Sequence, residues 1–303
     1  MKRESAKAPK PFLKWVGGKT QLLPELEARL PPDFTETVRV YAEPFVGGGA
    51  LLFHLLCKGM RPERVVINDS NPDLANAWRV VQTSVNELID ALDRLQIAYR
   101  AQSDAEGRKS FYLSVRDAYN HGIAERNENP VNRTAQLMFL NRTCFNGLYR
   151  VNAKGDFNVP FGRYSNPRIC NPETLLADSA ALAGVEIETG DFFDVVACAD
   201  AGWFVYFDPP YRPLSATASF CDYTRDGFND REQRRLADVC RMLDRVGAHW
   251  LLSNSDPKGA DPADTFFDDL YAGFKIRGVM AARMLNANPE KRGKLGELLI
   301  SNY

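Results

Sequence analysis

The sequence is poor in metal-binding residues and has no long apolar runs. It contains six cysteines and three histidines, and no two cysteines form a C-x-x-C pair. We therefore expect reduced thiols and no metal site. No stretch reaches the ~20 apolar residues of a membrane span, and residues 1–5 lack the apolar run of a signal peptide. These absences predict a cytoplasmic protein with no membrane association.

Two phosphate-binding motifs are also missing, although the chain has a glycine-rich turn. Residues 38–42 predict a short strand, residues 43–50 form a turn with three consecutive glycines, and residues 51–56 predict an apolar helix. The turn matches neither the dinucleotide fingerprint G-x-G-x-x-G nor a P-loop with its Lys-Ser/Thr. Because glycines let the backbone approach a ligand closely, the order strand, glycine-rich turn and helix predicts a nucleotide-type pocket. The missing motifs indicate that this pocket does not bind a phosphate group.

A carboxylate follows the next predicted strand. Residues 64–69 read as a strand that ends in Asp69, about twenty residues beyond the glycines, where an acid can accept hydrogen bonds from ribose hydroxyls. A nucleoside cofactor without a pyrophosphate therefore fits this chain better than NAD.

The most informative segment is Asp208-Pro209-Pro210-Tyr211, which follows the apolar run Trp203–Phe207. In a doubly wound α/β sheet, ligands bind at the carboxyl ends of the strands, which is where this segment is expected. The Asp208 carboxylate and the Pro209 carbonyl can accept hydrogen bonds from an exocyclic NH2 group, and Tyr211 can stack on the ring that carries it. An ordinary proline-rich turn is the alternative that the segment alone leaves open.

The α/β pattern is interrupted between residues 76 and 184. Two stretches with helical spacing are followed there by a segment rich in Asn, Gly and Arg. We predict that residues 1–75 and 185–303 form one catalytic α/β domain and that residues 76–184 form an inserted recognition domain.

The net charge of −1 conceals two basic segments. Residues 1–20 carry six lysines and arginines against one glutamate, and residues 126–168 carry seven against two acidic residues. A protein of near-zero total charge can thus present a basic face to phosphates. Solvated charges pointing in all directions are the alternative that composition leaves open.

Residues 141–164 carry the signals of a β-hairpin. Apolar and polar residues alternate on both sides of a turn at residues 153–156. A two-stranded ribbon fits the major groove, where an arginine can bond both O6 and N7 of guanine, so Arg150 is the candidate base reader. A plain surface ribbon is the alternative.

Several blocks, in order, resemble the Dam-type adenine-specific DNA methyltransferases, which use S-adenosylmethionine. The blocks run nearly from end to end and are residues 11–19, 43–50, 68–69, 141–164, 190–192, 208–211 and 297–303. The resemblance implies a Rossmann-like methyltransferase fold with an inserted helical and β-hairpin DNA-recognition domain. It also implies methyl transfer to the exocyclic amine of a flipped-out adenine, in the sequence GATC.

The resemblance assigns site residues to three roles. The catalytic residues would be Asp208, Pro209, Pro210 and Tyr211. The cofactor would be bound by Trp15, Lys19, Glu43, Phe45, Gly47, Asp69, Asp191, Phe192 and Asp208. DNA would be contacted by Lys14, Asn146, Leu148, Arg150, Pro160 and Tyr164. Without the resemblance, Trp15 fits a core aromatic and Lys19 a solvated lysine.

Double-stranded DNA is the expected partner, and we expect a monomer associated with the nucleoid. A companion restriction endonuclease and solitary action fit the sequence equally. Residues 212–226, rich in small polar residues, are expected to form a lid over the flipped base. Two other classes remain open: a methyltransferase for cytosine, an RNA base or a glutamine amide, and a binding protein that has lost the chemistry.

Overall fold

A seven-stranded sheet organises the part of the chain that the computed structural model describes, which is residues 7–15, 17–125, 129–212, 228–282 and 294–303. The strands are β1 (Val40–Glu43), β2 (Arg64–Asp69), β3 (Glu186–Thr189), β4 (Trp203–Phe207), β5 (His249–Ser255), β6 (Lys275–Ala282) and β7 (Lys294–Ser301). Their order across the sheet is β3-β2-β1-β4-β5-β7-β6.

The helices follow the strands in the alternation that the sequence predicts. They are α1 (Leu23–Glu27), α2 (Phe34–Thr37), α3 (Ala50–Cys57), α4 (Pro72–Thr83), α5 (Val85–Arg100), α6 (Ala105–Glu125), α7 (Pro130–Thr143), α8 (Pro172–Ala181), α9 (Phe192–Val196), α10 (Asp230–Arg245) and α11 (Phe266–Leu270). Asn229 caps α10, since its side chain accepts hydrogen bonds from the backbone amides of Arg231 and Glu232.

The centre of the sheet is parallel and one side is antiparallel. β1 pairs in parallel with β2 and β4, and β4 pairs in parallel with β5, whereas β7 runs antiparallel to both β5 and β6. The order β3-β2-β1-β4-β5 is that of a doubly wound sheet. The predicted Rossmann-like α/β fold is therefore confirmed.

The central strand β4 is buried along its whole length. A parallel strand covered on both faces reads as a continuous apolar run rather than an alternating one. Around it, side chains of β5, β7 and α10 form the main core, in which Trp250, Ile300 and Leu243 are fully buried. This packing fixes the carboxyl end of β4, where residue 208 begins the next segment.

The chain divides into two compact units. The helical unit contains residues 1–18, 47–59 and 71–187, and the sheet unit contains residues 19–46, 60–70 and 188–303. The predicted insertion, residues 76–184, lies within the helical unit, which also includes two segments outside it. The functional division into a catalytic and a recognition domain stays a prediction.

An internal ion pair joins three helices of the helical unit. Arg133 on α7 bonds Asp73 on α4 through its Nε at 2.5 Å and a terminal nitrogen at 2.7 Å, and the Tyr119 hydroxyl on α6 donates to the same carboxylate at 2.6 Å. Arg142 is also engaged internally, donating to the Phe12 carbonyl at 2.7 Å. These two arginines of the basic segment 126–168 are therefore structural.

Neither a membrane helix nor a metal cluster is found in the described ranges. No helix there is long and apolar enough to cross a bilayer. Nor do those residues bring together three or more His, Cys, Asp or Glu side chains in an arrangement that could hold a metal ion.

Candidate functional site

The segment after β4, residues 208–212, is called the Asp208 loop. β4 ends with Phe207 paired to Leu252 of β5, so the loop leaves the sheet at the carboxyl ends of two parallel strands. Pro209 is buried, and Asp208, Pro210 and Tyr211 are half-buried. The loop thus lies where doubly wound sheets bind ligands.

Asp208 is held by two side chains on the same oxygen. The Lys19 ammonium lies 2.9 Å from Oδ1, and the Ser253 hydroxyl donates to Oδ1 at 2.9 Å. Ser253 itself shares a 3.1 Å hydrogen bond with the buried Tyr206 hydroxyl. Lys19 is only 5% exposed, so the alternative of a solvated lysine is wrong. This arrangement leaves the second carboxylate oxygen, Oδ2, outside these two contacts.

Tyr211 is fixed at its hydroxyl and covered on its ring. The hydroxyl donates to Glu297 Oε2 at 2.7 Å, and the Lys19 ammonium lies 4.5 Å from the ring centroid. Burial, followed by the Asp208 and Glu297 carboxylates, raises the pKa of Tyr211 well above its ordinary value. The pKa of Tyr206 is raised in the same way, by burial first and then by Asp208. Both phenols therefore stay protonated and act as hydrogen-bond donors at neutral pH.

The rest of the Asp208 loop is held by polar side chains of α10 and β5. Gln233 donates to the Pro210 carbonyl at 3.1 Å and accepts from the Asn254 amide at 3.1 Å. Asn254 also accepts from the backbone amide of Arg212 at 3.3 Å. Gln233 and Asn254 are fully buried, so the loop backbone is fixed from within the sheet unit.

Arg212 closes the loop through its side chain. Its guanidinium bonds Asp230 at 2.8 Å and Asp264 at 2.6 Å, and it lies 4.2 Å from the Phe266 ring centroid. These contacts tie the end of the described loop to the start of α10 and to the segment before α11. Apart from Arg212, the predicted lid, residues 212–226, lies outside the described part of the chain.

Two predicted cofactor residues, Asp191 and Phe192, begin α9. Asp191 caps this helix by accepting from the Phe193 amide at 2.8 Å. Its carboxylate also makes a bidentate ion pair with Arg235, at 2.5 and 2.7 Å. The ion pair and the hydrogen bond from the Phe193 amide lower the pKa of Asp191. The same guanidinium lies 4.5 Å from the Phe192 ring, which packs 5.2 Å from Phe45.

The ends of β1 and β2 carry the other predicted cofactor residues of the sheet unit. Asn68 is buried, and its amide donates to the carbonyls of Pro44 and Gly190 at 2.9 and 3.2 Å. It thereby ties two predicted ligand-binding turns to β2, next to the half-buried Asp69. Glu43 is 2% exposed and accepts a hydrogen bond from the Tyr41 hydroxyl.

Trp15 and Gly47, also predicted to bind the cofactor, meet in the helical unit. Gly47 has a positive φ of 49°, and a Cβ there would lie 3.0 Å from Trp15 Cδ1. The Trp15 ring is half-buried and packs 5.0 Å from Tyr149. The absence of a side chain at residue 47 is thus what lets the indole approach the glycine turn.

Residues 144–164 form a narrow ribbon in the helical unit. Antiparallel bridges pair Cys144 with Phe161 and Val151 with Phe157. At the turn, the Asn152 side chain accepts from the amides of Lys154 and Asp156 at 2.9 and 3.0 Å. The predicted hairpin is therefore present, but its proposed first residues, 141–143, are the end of α7 instead.

Arg150, the candidate base reader, is exposed on the ribbon. Its Nε donates to the Asn158 side chain at 2.7 Å, and a terminal nitrogen donates to the Asn158 carbonyl at 3.2 Å. The opposite strand thus orients the guanidinium while leaving the residue accessible.

The turn at Phe145–Gly147 has an unusual backbone. Asn146 is exposed with a left-handed φ of 56°, and Phe145 beside it is 46% exposed. Gly147 has a φ of 67°, and a Cβ there would lie 2.5 Å from Lys14 Cδ. The buried Asn141 side chain bonds Lys14 on both its backbone amide and its carbonyl, at 2.8 and 2.9 Å. This contact holds residue 14 beside the turn.

The remaining predicted DNA contacts lie on the same ribbon. Pro160 is exposed, while Leu148 and Tyr164 are half-buried. The Lys14 ammonium lies 5.7 Å from the Tyr164 ring. The structure therefore brings all six predicted DNA-contacting residues together in the helical unit.

A family model now decides the class. It is described as D12 class N6 adenine-specific DNA methyltransferase, and it matches residues 15–285. The chain belongs to this family. It is an adenine-specific DNA methyltransferase, and the alternatives of a cytosine, RNA or glutamine substrate and of a protein without the chemistry are wrong.

Curated relatives extend over nearly the whole methyltransferase. The Type II methyltransferase M.MjaIII of Methanocaldococcus jannaschii is 49% identical over 97% of this chain and 99% of its own length. The Type II methyltransferase M1.LlaDCHI of Lactococcus lactis subsp. cremoris is 40% identical over 97% and 95%. The DNA adenine methylase of Escherichia coli (strain K12) is 32% identical over 95% and 93%.

Sequence reasoning missed the side chains that support the methyltransferase's two candidate sites. Ser253 and Glu297 lie on strands whose register the sequence does not reveal, so nothing in their neighbourhood points to residue 208 or 211. Tyr112 and Asn120 on α6 bond the ribbon backbone, at 2.7 Å to Val159 and at 3.1 Å to Phe157. These two residues are about two helical turns apart and so lie on the same side of α6. Two polar side chains in that arrangement could have indicated that this side of the helix bonds another segment.

Proposed function

We propose that this methyltransferase moves a methyl group from S-adenosylmethionine to N6 of an adenine flipped out of duplex DNA, in the sequence GATC. The observation that carries the proposal is the environment of Asp208. Lys19 and Ser253 hold its Oδ1 at 2.9 Å each, at the carboxyl end of β4 and beside the fixed ring of Tyr211.

Asp208 is proposed to align the target amine. Because both internal partners bind Oδ1, Oδ2 is the oxygen that accepts one N–H of the adenine amine, and the Pro209 carbonyl accepts the other. These two hydrogen bonds draw the nitrogen toward tetrahedral geometry and localise its lone pair. The protein thus contributes orientation and electrostatics rather than a nucleophile of its own.

Tyr211 is proposed to receive the flipped base. An adenine inside a duplex cannot reach the end of β4, and extruding it costs roughly a few kcal/mol in lost pairing and stacking. Stacking on a ring that is already fixed recovers part of this cost without ordering a mobile side chain. The exposed Phe145 and Asn146 on the ribbon are suited to filling the gap in the duplex.

The residues of the sheet unit fit an adenosyl cofactor. Phe45 and Phe192 supply aromatic faces, and Asp69 supplies a half-buried carboxylate suited to ribose hydroxyls. Asp191 would face the cofactor's adenine while its ion pair with Arg235 keeps it charged. When bound, S-adenosylmethionine supplies an activated methyl group on a sulfonium sulfur. In the helical unit, Trp15 and Gly47 stay predicted cofactor contacts.

A substitution of Asp69 tests the cofactor site. Asp69→Ala is expected to raise the KM for S-adenosylmethionine at least about tenfold, because a charge-assisted hydrogen bond is worth roughly 1.5–3 kcal/mol. The KM for DNA should change little. The measurement is steady-state methyl transfer with each substrate varied in turn, and equal changes in both KM values would assign Asp69 to folding instead.

The ribbon supports recognition of a guanine-containing site. Arg150 is exposed and pre-oriented by Asn158, and an arginine fork matches O6 and N7 of guanine. The two Type II methyltransferases among the relatives support a role beside a restriction endonuclease. We propose that the enzyme acts as a monomer on duplex DNA.

The experiment that tests the function is methyl transfer from labelled cofactor to duplexes of varied sequence, followed by location of the modified base. The proposal requires N6-methyladenine within GATC. Methylation of adenine in another sequence would overturn the GATC assignment and leave the chemistry standing. Methylation of undamaged single strands at a higher rate than duplexes would overturn the flipping step.

A further inference from the structure

Glu297 holds the hydroxyl of the ring that is proposed to stack on the target base. We propose that Glu297 is a positioning residue of this methyltransferase, which acts through Tyr211 and never touches the substrate. The inference rests on the proposed function, because it assumes that Tyr211 receives the flipped adenine. Its basis is the 2.7 Å hydrogen bond from the Tyr211 hydroxyl to Glu297 Oε2.

The backbone that carries the Glu297 carboxylate is fixed within the sheet. Glu297 lies on β7, opposite Ser255 of β5 on one side and Val279 of β6 on the other. Its neighbour Gly296 accepts a hydrogen bond from the Asp256 amide at 3.0 Å, and a Cβ at residue 296 would lie 3.0 Å from Asp256. The strand therefore has little freedom at this point, and a hydroxyl bonded to Glu297 shares that rigidity.

The hydrogen bond to Glu297 and the Lys19 ammonium together fix the position of the Tyr211 ring. Lys19 lies 4.5 Å from the Tyr211 ring centroid and is itself bound to Asp208. One contact fixes the ring's outer end and the other covers a face. A base that stacks on Tyr211 would use the opposite face, next to the Asp208 carboxylate that Lys19 also contacts. Such a surface needs no ordering when the base arrives.

The bond also changes the ring's electronic character. A phenol that donates to a carboxylate gains electron density on its π face, and such faces attract positive charge. In methyl transfer the N–C bond forms as the bond between sulfur and the methyl carbon breaks, and that bonding pair stays on the sulfur. The amine nitrogen then carries a positive charge until its proton passes to solvent. Glu297 is therefore expected to favour the reaction beyond the binding of the base.

The test is a double-substitution cycle on the full-length enzyme with its duplex substrate. Glu297→Leu removes the acceptor at similar volume, Glu297→Gln keeps an acceptor without the charge, and Tyr211→Phe removes the donor but keeps the ring. The control is Glu188→Gln, which neutralises an exposed carboxylate on β3 of the same sheet. Thermal unfolding of each variant verifies that it is folded.

We expect kcat to fall about tenfold for Glu297→Leu and for Tyr211→Phe, and about threefold for Glu297→Gln, since a hydrogen bond to a charged group is lost or weakened. The KM for S-adenosylmethionine should not change, and Glu188→Gln should match the parent. In the Tyr211→Phe background, Glu297→Leu should have no further effect on kcat. An equal additional loss in that background would overturn the inference, because Glu297 would then act independently of Tyr211.

A fluorescent base distinguishes failure of the inference from failure of the proposed function. With 2-aminopurine at the target position, the parent complex should be dimmer than that of Tyr211→Ala, because stacking quenches the base, and Glu297→Leu should lie between them. If neither the parent nor Tyr211→Ala changes the fluorescence on binding, base flipping fails and the inference falls with it. If Tyr211→Ala is brighter than the parent and Glu297→Leu is identical to the parent, the inference alone is overturned.

Discussion

The Asp208 loop and the ribbon each present one proposed functional side chain, Asp208 and Arg150, and these two side chains are supported in opposite ways. Lys19, Ser253 and Gln233, all buried in the sheet unit, fix the Asp208 loop from several directions. Arg150 on the ribbon is exposed and is oriented by a neighbour eight residues away. The side chain proposed to align the amine is thus oriented by distant parts of the chain. The side chain proposed to read a base is oriented locally, on a ribbon whose backbone Tyr112 and Asn120 of α6 bond.

This difference predicts different tolerance to change. A group that aligns reacting atoms loses function when displaced by about 1 Å, so it needs support from packed, buried side chains. A group that reads base edges must reach out to the DNA, so it is best placed on an exposed element with local support. Substitutions in the Asp208 loop should therefore remove activity, whereas those in the ribbon should change selectivity.

The largest expected effect is that of Asp208→Ala. Without the carboxylate the amine is not aligned, and kcat should fall by roughly 10²–10³ or more. Binding of S-adenosylmethionine and duplex should be largely kept, because the carboxylate acts in the transition state. Single-turnover methyl transfer with separate binding titrations measures both. Turnover within a fewfold of the parent would rule out the proposed role of Asp208.

A smaller effect of a different kind is expected from Arg150→Ala. One bidentate contact with guanine is worth about 1–3 kcal/mol, so preference for the cognate base pair should drop roughly tenfold to a hundredfold. The measurement compares kcat/KM on GATC and on duplexes with one substituted base pair. The change should be confined to one position of the site.

The alternative outcome for Arg150 is equally clear. If Arg150→Ala lowers activity on all duplexes by the same factor, the residue is a backbone anchor and the base reader lies elsewhere on the ribbon. Asn158→Ala is the matched variant, because it removes the support of the guanidinium without removing the guanidinium itself. It should relax the same position to a lesser extent.

The contrast between the two regions also explains what the sequence could predict. β4 and the strand over residues 64–69 were predictable because a buried parallel strand is a continuous apolar run. The ribbon's turn was predictable because Asn, Gly and Asp at residues 152–156 act on their own neighbours. In both cases the determining interactions are local.

What could not be predicted depends on pairing between distant strands. Ser253 meets Asp208 because β5 pairs in parallel with β4. Glu297 meets Tyr211 because β7 is inserted between β5 and β6. No local signal specifies either register. Lys19 reads as a surface lysine until the fold buries it beside Asp208. The supporting side chains of a site are therefore harder to find from sequence than the residues that do its chemistry.

A buried carboxylate in the helical unit, Asp178, should make the stability of the protein depend on pH. Asp178 on α8 accepts from the Lys10 amide at 2.8 Å, but its Oδ2 has no hydrogen-bond partner among the described residues. Burial raises the pKa of Asp178 to about 7. Because the unfolded chain ionises near pH 3.9, stability should fall as pH rises from about 4 to 7 and then level off.

Asp178→Asn should remove this dependence. The amide keeps the acceptor for Lys10 and cannot ionise, so the gain in Tm over the parent should be larger at pH 8 than at pH 5, by roughly 3–8 °C. Asp90→Asn, at an exposed position of α5, is the control and should shift both Tm values equally. A gain that does not vary with pH would show that Asp178 is charged in the folded protein throughout this range.

The smallest expected effect is that of Lys10→Ala. Lys10 is exposed in the basic N-terminal segment, and its backbone is fixed by Asp178. A lysine that contacts a phosphate contributes equally to every sequence, so its loss should weaken binding to GATC and to substituted duplexes by the same factor. The slope of log affinity against log salt should fall by about 1. Lys109→Ala on α6, whose ammonium is paired with Glu106, should leave the slope unchanged. Loss of preference at one base pair would instead make Lys10 a base reader, and an unchanged slope would mean that it contacts no phosphate, so that the basic character of the N-terminal segment serves the fold rather than the DNA.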